Sequence, residues 1–221
     1  MCFSASASFG VSAILLAGGI GSIKNVKTTA QIAFAVIPVL FAIQQFTEGI
    51  IWLSLTNMNV SGWNNSATYT FLFIAQVLWP VWVPFSIFLM ESNYIRKRVL
   101  LGLTGIGCIT SFYMAYTLIT SDFHSSISNH HIQYNQNFST IVINLGSVFY
   151  FLPTVLPAFI SSLKKMIYIG MLLLSSYIIS KLYYPENVVS VWCYFAAAIS
   201  IAVFLIIASS RQTEKLPELT E

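Results

Sequence analysis

Gln44, Gln45 and Glu48 set two amides and a carboxylate into a stretch, 29–55, that holds no other ionisable side chain. The stretch is greasy enough to cross a bilayer, and an acid in hydrocarbon costs several kcal/mol unless it is protonated, paired or facing water. Gln44, Glu48 and Trp52 follow an i, i+4, i+8 line and Gln45 lies three residues before Glu48, so a helix here presents all four on one face. Such a face belongs inside a bundle, where a protonatable acid among amides suits recognition of a small polar or cationic ligand, or of a proton.

The elements that position this face follow from composition. The chain has 221 residues, 57% of them hydrophobic and only 8% charged, which is too little polar surface for a soluble globule. A hydrocarbon layer ~30 Å thick needs about 20 apolar residues in a helix, and seven such runs can be marked off: 5–23, 29–55, 67–90, 99–120, 138–163, 166–184 and 188–209. The expected fold is therefore all-α, a polytopic membrane bundle of seven helices over 1–210 with a short tail, 211–221. Pro38, the pair Pro80 and Pro84, and the pair Pro153 and Pro157 fall inside these runs and should bend them, opening room between neighbours.

Nine of the ten Lys and Arg residues follow spans one, three, five and seven, and the alternate connections hold none. By the bias of cations toward the cytoplasm, the N-terminus lies outside and the C-terminus inside. The same clustering is an orientation signal and not a nucleic-acid footprint; the lipid bilayer is the expected partner, with a membrane-protein partner as a further expectation.

Counting inward from the outer ends brings other polar side chains level with Glu48: Gln76, Ser111, Tyr113, Asn144, Ser147, Ser176, Tyr177, Trp192 and Tyr194. Glu48 itself lies roughly 10 Å below Leu55 at ~1.5 Å per residue. The expectation is a polar pocket in the outer half, with Glu48, Gln44, Gln45, Gln76, Asn144, Lys181 and Trp52 as its ligand-binding residues. Lys181, the one cation away from the clusters, either snorkels to the outer surface or pairs with Glu48.

The connection 121–137 carries His124, His130 and His131 with Asp122, long enough to fold over a cavity mouth. Adjacent histidines without HExxH spacing read as a solvated loop, and no metal ligand or cofactor is assigned. Cys2, Cys108 and Cys193 form no CxxC pair. Cys2 and Cys193 lie toward the same side, while Cys108 reads as a small packing residue.

The opening Met1-Cys2-Phe3-Ser4-Ala5 and the run 37–49 with Trp52 resemble a family of uncharacterised bacterial integral membrane proteins, a domain of unknown function. The resemblance implies a bacterial inner membrane and adds no activity. Three functions stay open: binding, sensing or transport of a small ligand or proton; a membrane-embedded metal-assisted hydrolase with Glu48 as base or ligand; and a structural or assembly role in which the polar residues lock helices together.

Overall fold

The computed structural model describes residues 4–128, 131–135 and 140–210, with the side chains of 140–145 and 208–210 left aside. Cys2, His130 and the tail 211–221 lie outside the described residues. The helices are α1 (Ala5–Lys24), α2 (Ile32–Ala35), α3 (Ile37–Thr56), α4 (Asn64–Leu72), α5 (Trp79–Met90) and α6 (Tyr94–Thr120), then α7 (Thr140–Ile160), α8 (Met166–Tyr183) and α9 (Val188–Ser210). Between α6 and α7 stand two short strands, β1 (His124–Ser128) and β2 (His131–Asn135), paired antiparallel with Ile127 opposite Ile132. The fold is thus helical but not purely so.

Among the described residues, six helical spans are long and apolar enough to cross a membrane: Ala5–Lys24, Thr29–Thr56, Met58–Met90, Tyr94–Thr120, Met166–Tyr183 and Val188–Ile207. The expected fifth span corresponds to α7, Thr140–Ile160, whose fully described part, Gly146–Ile160, is apolar. These spans mark a membrane protein built as a bundle, with Lys24, Lys27, Arg96, Lys97, Arg98, Lys164 and Lys165 at helix ends and in connections on one side and the hairpin on the other. These are called the basic end and the hairpin end below.

The prolines act where the sequence places them. Pro38 stands at the start of α3, just beyond a break at Val36 that separates α2 from α3. Pro80 has no N–H to offer the Gln76 carbonyl, and the backbone ahead of it widens into a π-helical segment, Phe73–Leu78. Carbonyls in that segment bond to side chains of other helices instead: the Tyr150 hydroxyl donates to Ala75, and Ser111 Oγ donates to Val77 at 2.5 Å. In α7, Pro153 leaves the Phe149 carbonyl without its helical donor, and Thr110 Oγ1 approaches it at 3.2 Å, sharing its proton with the Ile106 carbonyl at 3.0 Å. Kinks that would expose backbone to lipid are so turned into contacts between helices.

Close packing relies on glycine at a few crossings. α1 runs antiparallel along α3, with Phe9 on Gly49, Ser12 Oγ donating to the Ala42 carbonyl at 2.8 Å, and Gly19 on Val39. At the basic end Glu91, buried after α5, accepts from the Ser162 N–H at 2.7 Å and the Asn93 N–H at 2.9 Å, joining two connections. Burial works to raise the Glu91 carboxyl, but the Ser162 and Asn93 amides, the Ser162 side chain and the Arg96 charge outweigh it and hold it below its ordinary value.

The tightest crossing is Gly107 of α6 on Pro80 of α5, where a Cβ would stand 1.9 Å from the Pro80 carbonyl oxygen. That oxygen is itself left without its helical donor by Pro84. Gly107→Ala is expected to force α5 and α6 apart and to cost about 1–3 kcal/mol, as overpacking does. Gly102→Ala, whose Cβ would meet nothing within 4 Å, is the control and should leave thermal unfolding in detergent unchanged or raised.

Candidate functional site

The helix face read from the sequence is the most deeply buried polar surface of α3. Glu48, Gln44 and Gln45 are each 0% exposed. Gln45 Nε2 donates to Glu48 Oε2 at 3.2 Å, and Ser190 Oγ of α9 donates to Glu48 Oε1 at 2.6 Å. The second distance is the short separation of a hydroxyl on a carboxylate. One turn toward the basic end, Gln44 Oε1 accepts from the Trp79 indole at 2.8 Å, and the Trp79 ring stacks on Phe41 with centroids 4.0 Å apart. Three helices, α3, α5 and α9, are therefore joined through one polar layer.

Apolar clusters lie on both sides of this layer. Toward the hairpin end, Ile51, Trp52, Phe71, Leu72, Phe123 and Ile132 form a buried plug. The hairpin is held down by a small polar network in which Asn64 Nδ2 donates to Ser54 Oγ at 2.9 Å and to Ser125 Oγ at 3.0 Å. Thr68 Oγ1 bonds Ser125 Oγ at 3.1 Å, and Tyr134 stacks on Phe71. The connection 121–137 does fold over the bundle, but as a packed hairpin and not as a solvated loop. His131 is buried with its ring 5.0 Å from that of Tyr184, whereas His124 is exposed. Among the described residues, no three of His, Cys, Asp and Glu converge as a metal site would require.

Toward the basic end lies a partly open cavity of about 80 Å³ between α3, α5, α7, α8 and α9. Its wall includes Phe41, Trp79, Val83, Tyr150, Thr154, Leu173, Trp192 and Cys193. The floor is closed by buried Ile87, Ala158, Met166 and Val203, while Val83, Tyr150, Leu173, Trp192, Ala196 and Ile199 are half-buried, so access is at mid-height. The room stands beside the kinks, with Val83 next to Pro84, and Thr154 and Ala158 following Pro153 and Pro157.

This differs from the expected polar pocket. None of Glu48, Gln44, Gln45, Gln76, Lys181 and Trp52 is on the cavity wall. Glu48, Gln44 and Gln45 come together one layer behind it, next to Cys193, which lies beside both Gln44 and Glu48. Gln76 is buried in the π-helical segment, and Trp52 is buried in the plug. Lys181 is exposed, its Nζ 5.9 Å above the Tyr177 ring, so it takes the snorkelling position and is not brought to Glu48. The Asn144 side chain lies outside what the structure describes. Ser111 and Ser176, expected to line a pocket, spend their hydroxyl protons on helix carbonyls. Cys108 is exposed on α6 and does not pack inside the bundle.

Sequence reasoning missed Ser190 and the role of Trp79. Ser190 was not among the residues counted by depth; α9 begins beneath the hairpin, and its first turns, with Asn187, Ser190 and Val191 buried, are already deep in the protein. The signal available was one hydroxyl inside the β-branched run Val188-Val189-Ser190-Val191.

The Gln44–Trp79 bond gives a direct test of the layer. Trp79→Phe keeps the stacking on Phe41 but strips the buried amide oxygen of its donor, and is expected to lower stability by about 1–3 kcal/mol. Adding Gln44→Leu to that variant should recover much of the loss, since an apolar pair leaves no orphaned group; chemical or thermal unfolding of the two variants measures it.

No curated protein and no solved structure matches the chain. A family match does, running from residue 1 to residue 218 and so covering nearly all of it. On that match the chain belongs to the family described as a family of unknown function (DUF6629), in agreement with the resemblance read from its first quarter.

Proposed function

We propose that this chain is a seven-helix binding protein of a bacterial inner membrane, with its N-terminus outside, its C-terminus in the cytoplasm and 211–221 as a short cytoplasmic tail. In this reading α7 is the seventh span, and the basic end faces the cytoplasm. The cation clusters support the orientation. The ligand is a small molecule with an apolar body, held in the cavity between α3, α5, α7, α8 and α9, with its polar group at mid-height near the Glu48 layer. The observation that carries this is the cavity itself: it is apolar, closed toward the basic end, and ends against aromatic and thiol side chains backed by buried amides. Gln44, Gln45 and Glu48 then serve as positioning residues for Trp79 and Cys193, which meet the ligand.

A second reading has its own observation. Both Glu48 oxygens already accept from protein donors, Gln45 and Ser190, as they would if the layer only locked α3 to α9. The two readings separate when the cavity is filled without disturbing the layer. Ala196, half-buried on the wall of α9, is the position for this. Wild-type protein purified from native membranes is expected to carry a small amphiphile in near one-to-one ratio, recovered by solvent extraction and mass spectrometry. Ala196→Trp should lose it while folding normally. Identical extracts from wild type and variant would favour the purely structural lock.

A further inference from the structure

The cavity wall is selective in what it leaves unspent. Its hydroxyl protons are committed to helix carbonyls: Tyr150 donates to Ala75, Thr154 Oγ1 to Tyr150 at 2.8 Å, and Ser200 Oγ to Ala197 at 2.6 Å. The Cys193 thiol is a weak donor at best. The Trp192 indole is different. Its ring lines the cavity, flanked by Tyr150 and Tyr177 with centroids 5.8 and 5.1 Å away, yet its Nε1–H has no acceptor. Gln44 Nε2 is turned toward the Cys193 sulfur, a weak acceptor, because the bond from Trp79 fixes the amide oxygen toward α5. A buried N–H is rarely left as the Trp192 indole is, since it has given up water for nothing.

The wall also lacks what a cation needs. Among the described residues no acidic side chain lines the cavity, and Glu48 stands one layer back with a donor on each oxygen. A charged amine would find no free anion there and could be met only by the aromatic faces.

From this unspent donor and the want of a free carboxylate, we propose that the cavity takes a neutral, largely apolar molecule bearing an oxygen acceptor of the carbonyl type, and that Trp192 is the residue that reads that oxygen. The inference rests on the reading of the cavity as a binding site and narrows it from a polar or cationic ligand to a neutral acceptor. The indole nitrogen is itself buried, so the Trp192 ring has to turn for its N–H to meet the oxygen.

Three probes of one shape test it: benzophenone, diphenylmethane and aminodiphenylmethane, which set a carbonyl, a methylene and an ammonium-bearing carbon at the same place. Each is titrated against the full chain in lipid nanodiscs, with empty nanodiscs subtracted. Benzophenone is expected to bind about five- to tenfold tighter than diphenylmethane, the worth of one buried hydrogen bond. Trp192→Phe, which keeps a ring between Tyr150 and Tyr177, should erase that preference and leave diphenylmethane unchanged. Equal binding of benzophenone and diphenylmethane to the wild type would overturn the inference without needing the variant, while leaving the binding site standing. Tightest binding by aminodiphenylmethane would overturn it in favour of a cation. Failure of all three to bind would overturn the binding-site reading and the inference with it.

Discussion

Everything in this bundle has to accommodate a carboxylate placed where there is no water. Glu48 is wholly buried, and an unpaired charge there would cost more than a small membrane protein has to spare. The solution is a bond across the bundle: Ser190 of α9 and Gln45 of α3 each donate to one carboxylate oxygen. That requirement brings α9 against α3 near the start of α9, and the Gln44–Trp79 bond brings α5 to the same level. A layer that must stay dry around a buried acid also needs covering. The plug of Ile51, Phe71, Phe123 and Ile132 covers it from the hairpin end, and the Phe41–Trp79 stack separates it from the cavity.

The same helices that close around the acid are held apart below it. Proline removes backbone donors in α5 and α7, the π-helical segment shifts the helix face ahead of Pro80, and hydroxyls from Thr110, Ser111 and Tyr150 take up carbonyls of the kinked helices. The cavity sits beside those kinks. Polar closure and apolar opening are thus adjacent consequences of where the prolines and the acid fall along α3, α5, α7 and α9.

Much of this could be read from the residues alone. The helix face of Gln44, Gln45 and Glu48, the spans and the bends at proline all follow from period and composition, because a bilayer leaves the backbone few choices. The hairpin did not, since two five-residue strands are not stable by themselves. Their stability comes from seating Phe123 and Ile132 in the plug and Ser125 between Asn64 and Thr68, contacts between distant parts of the chain. The pocket was expected among the polar residues and formed among the apolar ones. Hydroxyls inside a membrane bundle satisfy kinked or helical carbonyls first, as Ser111, Thr154 and Ser176 do, and so are poor markers of a ligand. Ser190 was hidden for a geometric reason, because α9 starts under the hairpin and not at the membrane surface.

The central claim is that the Glu48–Ser190 bond locks α3 to α9 and closes the layer above the cavity. A double-mutant cycle with Glu48→Gln and Ser190→Ala, read as unfolding free energy in a constant lipid or detergent environment, tests it most directly. A hydrogen bond to a buried carboxylate should appear as a coupling of about 1.5–3 kcal/mol. Single effects that add to within about 0.5 kcal/mol would contradict the account, because independent sites behave that way and a shared lock does not.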